Sequence, residues 1–380
     1  MSDESAAKDE SPPKLTALTN VIKTRDDYQP VLFEKVRCDE GTVGPCFQTV
    51  GQSTCSWLRP QEKFGTSKLR ERIEPWLTSL CQSEHLSMLL GSGLSNAVHR
   101  RATGSGLPGM AKADFGSCDA VLQVEALRSA KACGRSEGNI EDQLRCANEL
   151  LRAFEIYAAT GDENSIQKAN ELRGSVRSVL DEFAKSVYQG ERGIATADER
   201  KREDAFNYLV SFLMSFASRS GTRDRLHLFT TNYDRVIEAG ADAAGMHLLD
   251  RFVGSASPVF RSSRLDLDVH YNPPGIRGEP RYLEGVARFT KLHGSLDWID
   301  TDRNIRRIGL PFGGSSPKLV TSAFAEIGTD SSQLMIYPNA AKDRKQLSIP
   351  TRSCFGISPP RCVAPIIPSS LLVTVLVTTI

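Results

Sequence analysis

Residues 86–96, Leu86-Ser87-Met88-Leu89-Leu90-Gly91-Ser92-Gly93-Leu94-Ser95-Asn96, decide how this chain is read. A short apolar run that stops at a glycine-rich turn has the length and pattern of a buried strand. Gly91 and Gly93 let backbone amides approach a ligand closely, and a helix starting there would aim its free N–H groups at an anion. The element departs from the GxGxxG fingerprint, because Asn96 stands where the third glycine would be. Alone it reads equally well as a tight strand-to-helix turn.

Three further runs have strand character. Residues 226–231 lead into Asn232-Tyr233-Asp234 and a helix over about 235–244. Residues 287–292 end at His293-Gly294-Ser295, and residues 333–337 end at Pro338. Between the first two runs, residues 119–220 are mostly helical in pattern, punctuated by Gly134, Gly138, Gly161, Gly190, Gly193 and Gly221. Upstream, a helix is expected from Ser67 as N-cap, with Leu69, Ile73, Trp76, Leu77 and Leu80 at helical spacing. Strands alternating with helical stretches imply an α/β fold, a mostly parallel sheet flanked by helices. Ligands of such sheets bind at the carboxyl ends of the strands. Three of these strand ends thus converge on one expected crevice.

Each has a plain structural reading as well. Asn232 and Asp234 can line a crevice, bind ribose hydroxyls or orient a water, and they can equally cap a helix. His293 can act as a base near neutral pH or hold a loop. Trp298 reads as a core aromatic, and Arg303, Arg306 and Arg307 as a solvated face.

The whole chain sets bounds. Its 380 residues carry 47 basic and 46 acidic side chains, a net charge of +1, and 40% apolar residues. Most of it can bury a core. The balance gives no bulk attraction to nucleic acid or anionic membrane, so neither is expected as a partner. No segment reaches the roughly eighteen apolar residues of a membrane span, and MSDESAAKDESPPK lacks the layout of a signal peptide. The expectation is a cytoplasmic protein. Nine scattered cysteines include no CxxC pair, which argues against a zinc ribbon; their odd count and the lack of a secretory signal argue against a disulfide framework, so reduced core or surface thiols are expected. No metal is expected. Residues 1–68, rich in Ser, Thr, Pro, Lys and Asp, read as a poorly ordered tail.

Taken in order, Gly91-Ser92-Gly93-Leu94-Ser95, then Thr230-Thr231-Asn232-Tyr233-Asp234, then His293-Gly294, this pattern resembles the sirtuin (SIR2-like) superfamily. There the corresponding elements are Gly-Ala-Gly-x-Ser, Thr-Gln-Asn-Ile-Asp and His-Gly. The strings FTTNYD and KLHGSLDW are similar to the bacterial branch found in antiphage defence. The resemblance covers residues 69–345 and implies a Rossmann-like NAD-binding domain with a helical insertion at 119–225. The paired CxxC module of the protein-deacetylating sirtuins has no counterpart here, which weakens a deacylase reading. What the resemblance implies is an NAD hydrolase, with NAD as substrate and a regulatory partner or homo-oligomer for control. In that reading Gly91, Ser92 and Gly93 hold the pyrophosphate, and Ser95 contacts phosphate or ribose. Asn232 orients the nicotinamide ribose or the attacking water. His293 is the base, and Asp234 binds a hydroxyl or shapes the pocket. Thr231, Gly294 and Ser295 complete the cofactor contacts. The alternatives are an NAD-dependent deacylase or ADP-ribosyl transferase, and a catalytically idle module sensing NAD or ADP-ribose.

Residues 346–380 change character, becoming rich in Pro, Ser and Cys and then apolar. Read from the third base of each codon, residues 372–380 permit Gly-Tyr-Gly-Ala-Gly-Asp-Asp-His, similar to an element expected near this place in a sirtuin-like chain. A frameshift and a divergent native tail are the two readings of this segment.

Overall fold

The computed structural model describes residues 20–22, 29–38, 44–50, 55–59, 61–107, 112–132, 134–217, 224–261, 268–271, 281–301, 304–314, 334–336 and 372–374. The chain divides into two compact units, residues 1–83 and 84–379.

The described residues of the first unit correct the expectation of a poorly ordered tail over 1–68, of which residues 1–19, 23–28, 39–43, 51–54 and 60 lie outside the described residues. Strands β1 (Asn20–Ile22), β2 (Val31–Val36), β3 (Cys46–Thr49) and β4 (Lys63–Gly65) form an antiparallel sheet in that order. The buried positions Val31 and Phe33 show the period of two that strand geometry requires. Phe33 meets Phe47 edge-on at 5.5 Å and Phe64 at 5.7 Å, and Trp57 meets Phe64 at 5.7 Å. Four rings thus give a very short sheet its core. Cys38 and Cys46 form a disulfide across the β2–β3 connection, contrary to the expectation of reduced thiols. Helix α1 (Thr66–Cys81) starts one residue before Ser67, so Ser67 lies in the first turn instead of capping it. Its expected apolar face stays partly open, with Trp76 and Leu77 exposed.

The second unit is built on a parallel sheet. Strand β5 (Ser87–Leu90) feeds α2 (Ser92–Thr103). A short 3-10 turn (Gly116–Cys118) then leads to helices α3 (Asp119–Ala132), α4 (Ile140–Ala158), α5 (Glu163–Ala195) and α6 (Glu199–Ala217). Strand β6 (Leu226–Thr230), helix α7 (Val236–Ala244) and strand β7 (His247–Leu249) follow. After the short strands β8 (Phe252–Val253), β9 (Val259–Phe260), β10 (His270–Tyr271) and β11 (Arg281–Tyr282) comes β12 (Val286–Lys291). The order β5-β6-β12-β7 is parallel throughout. The first core packs this sheet on α2, α6 and α7 through Met88, Leu90, Leu209, Leu213, Leu228, Ile237 and Phe289.

Beyond β12 the structure departs from a purely parallel reading. Strands β13 (Gly294–Thr301), β14 (Asn304–Arg307) and β15 (Leu334–Ile336) join β9 and β8 in an antiparallel sheet ordered β15-β13-β14-β9-β8. The run at 333–337 therefore belongs to this second sheet, and β7 takes its expected place in the first. Trp298 is buried against Phe252 at 5.0 Å and Phe260 at 6.2 Å, as a core aromatic. Arg307 pairs with Asp250 and stacks on Phe252 at 4.2 Å, and Arg306 donates to Ser257 Oγ at 2.9 Å. These two arginines are structural links and not a freely solvated face; Arg303 lies outside the described residues. Of the last segment, the backbone of β16 (Leu372–Thr374) runs parallel to β5, and the remainder lies outside the described residues.

Helices α3, α4 and α5 have their own core, including Phe115, Leu122, Leu144, Leu172 and Leu180. Gly190 and Gly193 do not interrupt the helical region; they lie inside α5. A Cβ at Gly193 would sit 2.8 Å from His99 Nε2, and one at Gly190 would sit 2.6 Å from Leu107 Cδ2. Glycine there lets α5 lie close to α2 and the segment after it.

Candidate active site at the strand ends

The carboxyl ends of β5, β6 and β12 open onto one cavity of about 610 Å³, within the range typical of small-molecule sites. Ser92, Gly93, Ser95, Thr231, Asn232, Asp234 and His293 line it. Helix α5 supplies the opposite wall through Val179, Glu182, Phe183, Val187 and Gly190. The helical insertion thus roofs the strand ends.

The turn after β5 is open where a ligand would enter. Gly91 is the N-cap of α2, and no side chain caps that helix. Its φ of −104° is accessible to any residue, and an added Cβ would meet nothing within 4 Å. The fold itself therefore does not require glycine at this position, which weakens the tight-turn reading. The first-turn N–H groups and the positive end of the helix dipole favour an anion.

A hydrogen-bonded chain ties this turn to the end of β6. Asn232 Nδ2 donates to the Gly91 carbonyl at 3.0 Å and to Ser95 Oγ at 2.9 Å. Ser95 Oγ donates to Asp234 Oδ1 at 2.9 Å, and Val236 N donates to the same oxygen at 3.1 Å. Asp234 thus both shapes the cavity and steadies the start of α7. Thr230 Oγ1 donates to the Leu90 carbonyl at 2.7 Å, locking the two strand ends together.

Buried charges hold these loops from behind. Glu191 of α5 accepts from Arg235 N at 2.8 Å, Nε at 3.1 Å and Nη2 at 2.5 Å. Burial raises the Glu191 carboxyl above its usual range, with the guanidinium opposing. Burial works against the Arg235 charge, but this carboxylate holds the guanidinium above its ordinary value. Lys291 Nζ donates to the Asp234 carbonyl at 2.6 Å and to Glu238 Oε1 at 2.8 Å.

His293 occupies the turn between β12 and β13. Burial lowers its pKa below the ordinary histidine value, with Glu141 pulling the other way. It is therefore predominantly neutral at pH 7 and able to accept a proton. Gly91, Gly294 and Ser295 differ from the other candidate site residues in not lining the cavity; Gly91 meets the site only through its carbonyl, which accepts from Asn232. Gly294 opens β13 at φ 96°, Ser295 is fully buried, and neither lines the cavity. Ser295 Oγ instead faces the Tyr233 carbonyl at 3.5 Å.

Sequence reasoning missed Glu141, Glu182 and Phe183 as cavity residues. They lie on α4 and α5, whose pattern announces helices but not what those helices cover. Among the described residues, no group of three or more His, Cys, Asp or Glu side chains could hold a metal ion, and no helix is long and apolar enough to cross a membrane. No family model matches this sequence, and no curated protein matches it.

Proposed function

We propose that this chain is a sirtuin-like enzyme that consumes NAD, cleaving the nicotinamide N-glycosidic bond to give nicotinamide and ADP-ribose. The observation that carries the reading is the meeting of three separate strand-end motifs in one cavity at an uncapped helix N-terminus. The Ser92 and Gly93 amides take the pyrophosphate. Ser95, Asn232 and Asp234 form a polar set suited to ribose hydroxyls. His293 accepts a proton from water as the water oxygen bonds to the ribose carbon. The nicotinamide leaves with the bonding electron pair, so the cationic pyridinium departs as a neutral base and needs no acid. The transition state has oxocarbenium character, by analogy with other glycoside cleavage. Water and NAD are consumed; nicotinamide, ADP-ribose and one proton appear. A role in antiphage defence and control by a partner or by self-assembly follow from the resemblance alone, and a cytoplasmic location from the sequence reading.

The test is chromatography of nicotinamide and ADP-ribose released from NAD by the purified chain, beside His293→Ala. Equimolar products from the wild type and a rate about 10²–10⁴-fold lower in a folded His293→Ala variant are expected. Unchanged turnover in that variant, or a wild-type chain that neither binds nor cleaves NAD, overturns the reading.

A further inference from the structure

Helix α4 starts with a closed capping box. Asn139 Oδ1 accepts from Asp142 N at 3.0 Å, and Asp142 Oδ2 accepts from Asn139 N at 3.0 Å. Arg135 then grips Asp142 with two contacts of 2.9 and 2.8 Å. The first turn of the helix is fixed in this way, and Glu141 sits within it, facing the cavity. Tyr233 Oη donates to Glu141 Oε1 at 2.6 Å, and the same oxygen lies 3.9 Å from His293 Nδ1. The Tyr233 ring is itself wedged edge-on against Phe183 at 5.4 Å. An acidic residue in a first turn is favoured by the helix dipole, which explains a carboxylate on α4. It does not explain a carboxylate aimed into the cavity and held there by a buried tyrosine.

We infer that Glu141 is a positioning residue for His293, its carboxylate anchored by Tyr233 and facing Nδ1 so that Nε2 is left for the water. This rests on the proposed NAD-cleaving role of the site. A separation of 3.9 Å is too long for a hydrogen bond and short enough for charge to act across it. The carboxylate stabilises the imidazolium that forms when His293 takes the proton, as a buried acid does for histidine in hydrolytic triads. Three of the other charged groups nearby are engaged elsewhere. Asp234 is held by Ser95 and Val236 N, Glu191 by Arg235, and Lys291 by Glu238. Glu182 and Lys112 also line the cavity.

The experiment uses the full chain and two conservative variants. Glu141→Gln keeps an acceptor for the Tyr233 hydroxyl and removes the charge; Tyr233→Phe keeps the ring and releases the carboxylate. The His293 imidazole is followed by NMR as pH is varied, its signal assigned by His293→Gln, and NAD cleavage is measured in parallel. Glu141→Gln should lower the His293 titration midpoint by roughly one pH unit. The acidic limb of kcat should move with it, with kcat down about 10–100-fold and KM within twofold. Tyr233→Phe should move both in the same direction by less. Unchanged His293 titration in both folded variants overturns the inference, even if NAD is cleaved. A shifted titration in a chain that does not cleave NAD keeps the pairing and removes the functional reading instead.

Discussion

Replacing Gly91 with alanine should separate what the fold needs from what the ligand needs. Gly91 precedes α2 at φ −104° and ψ −172°, and a Cβ there meets no protein atom within 4 Å. Alanine at a compatible backbone position gains about 0.4–1 kcal/mol by restricting the unfolded chain. It loses a similar amount as a poorer N-cap than glycine. The two nearly cancel, so stability should stay within about 0.5 kcal/mol, a change in Tm of a degree or two. If a pyrophosphate docks on this turn as proposed, the new methyl group competes with it for the open space beside Gly91. Losing one charge-assisted hydrogen bond to a phosphate costs about 1.5–3 kcal/mol, which is about 10–150-fold in Kd. Calorimetric titration with ADP-ribose reads this without any turnover. Gly240→Ala is the control, because its Cβ would lie 2.5 Å from Leu209 Cδ2 and 3.1 Å from Leu213 Cδ1 in the core. That variant should lose about 1–3 kcal/mol of stability and keep its affinity. ADP-ribose binding within twofold of wild type in Gly91→Ala would refute the assignment of this turn to phosphate.

Arg235→Met leaves the Glu191 carboxylate buried without its cation and should cost about 3–5 kcal/mol in urea unfolding; a loss below 1 kcal/mol would show that the pair is dispensable. Burial lowers the pKa of His227 to about 4, with Arg288 and Arg251 adding to it, and its ring stacks on Phe229 at 3.9 Å. A depressed histidine pKa means that the unfolded chain binds the extra proton first. The stability it contributes is full above pH 6.5 and declines as pH falls towards 4, by up to about 3 kcal/mol. His227→Gln should flatten that part of the stability curve, and an unaltered curve would count against the burial argument. Asn232→Ala removes the donor to Gly91 and Ser95 and should cost about 1–3 kcal/mol as well as activity, so circular dichroism melts must accompany its kinetics.

The strand ends were legible because chemistry there is local. A run such as 86–90 stops where a glycine-rich turn starts, and the period of its apolar residues marks the strand. Asn232 and His293 followed from the same logic, and both reach the cavity. The first unit was missed because its strands are three to six residues long and its core is four rings. Such short alternations vanish among serines, threonines and prolines. Strand β13 was missed for the opposite reason. Six consecutive positions are buried, so Leu296, Asp297 and Trp298 show no alternation at all. Glu141 could not be found from periodicity, since only tertiary packing tells which residue of a first turn looks inward. The capping pattern Asn139-Ile140-Glu141-Asp142 marks the start of the helix but not its neighbour.

Helix α5 runs unbroken for 33 residues, a rod of about 50 Å at the usual rise per residue. Its second half supplies the cavity wall through Glu182, Phe183, Val187 and Gly190, while Leu172, Val176 and Leu180 in its middle pack against α4. A rod cannot yield at one end alone. Tilting it by about 5° about its middle carries each end through about 2 Å. The width of the cavity is therefore set at a distance, by whatever grips the helix near Glu163, and the outermost surface of the helical layer has mechanical leverage over the strand ends.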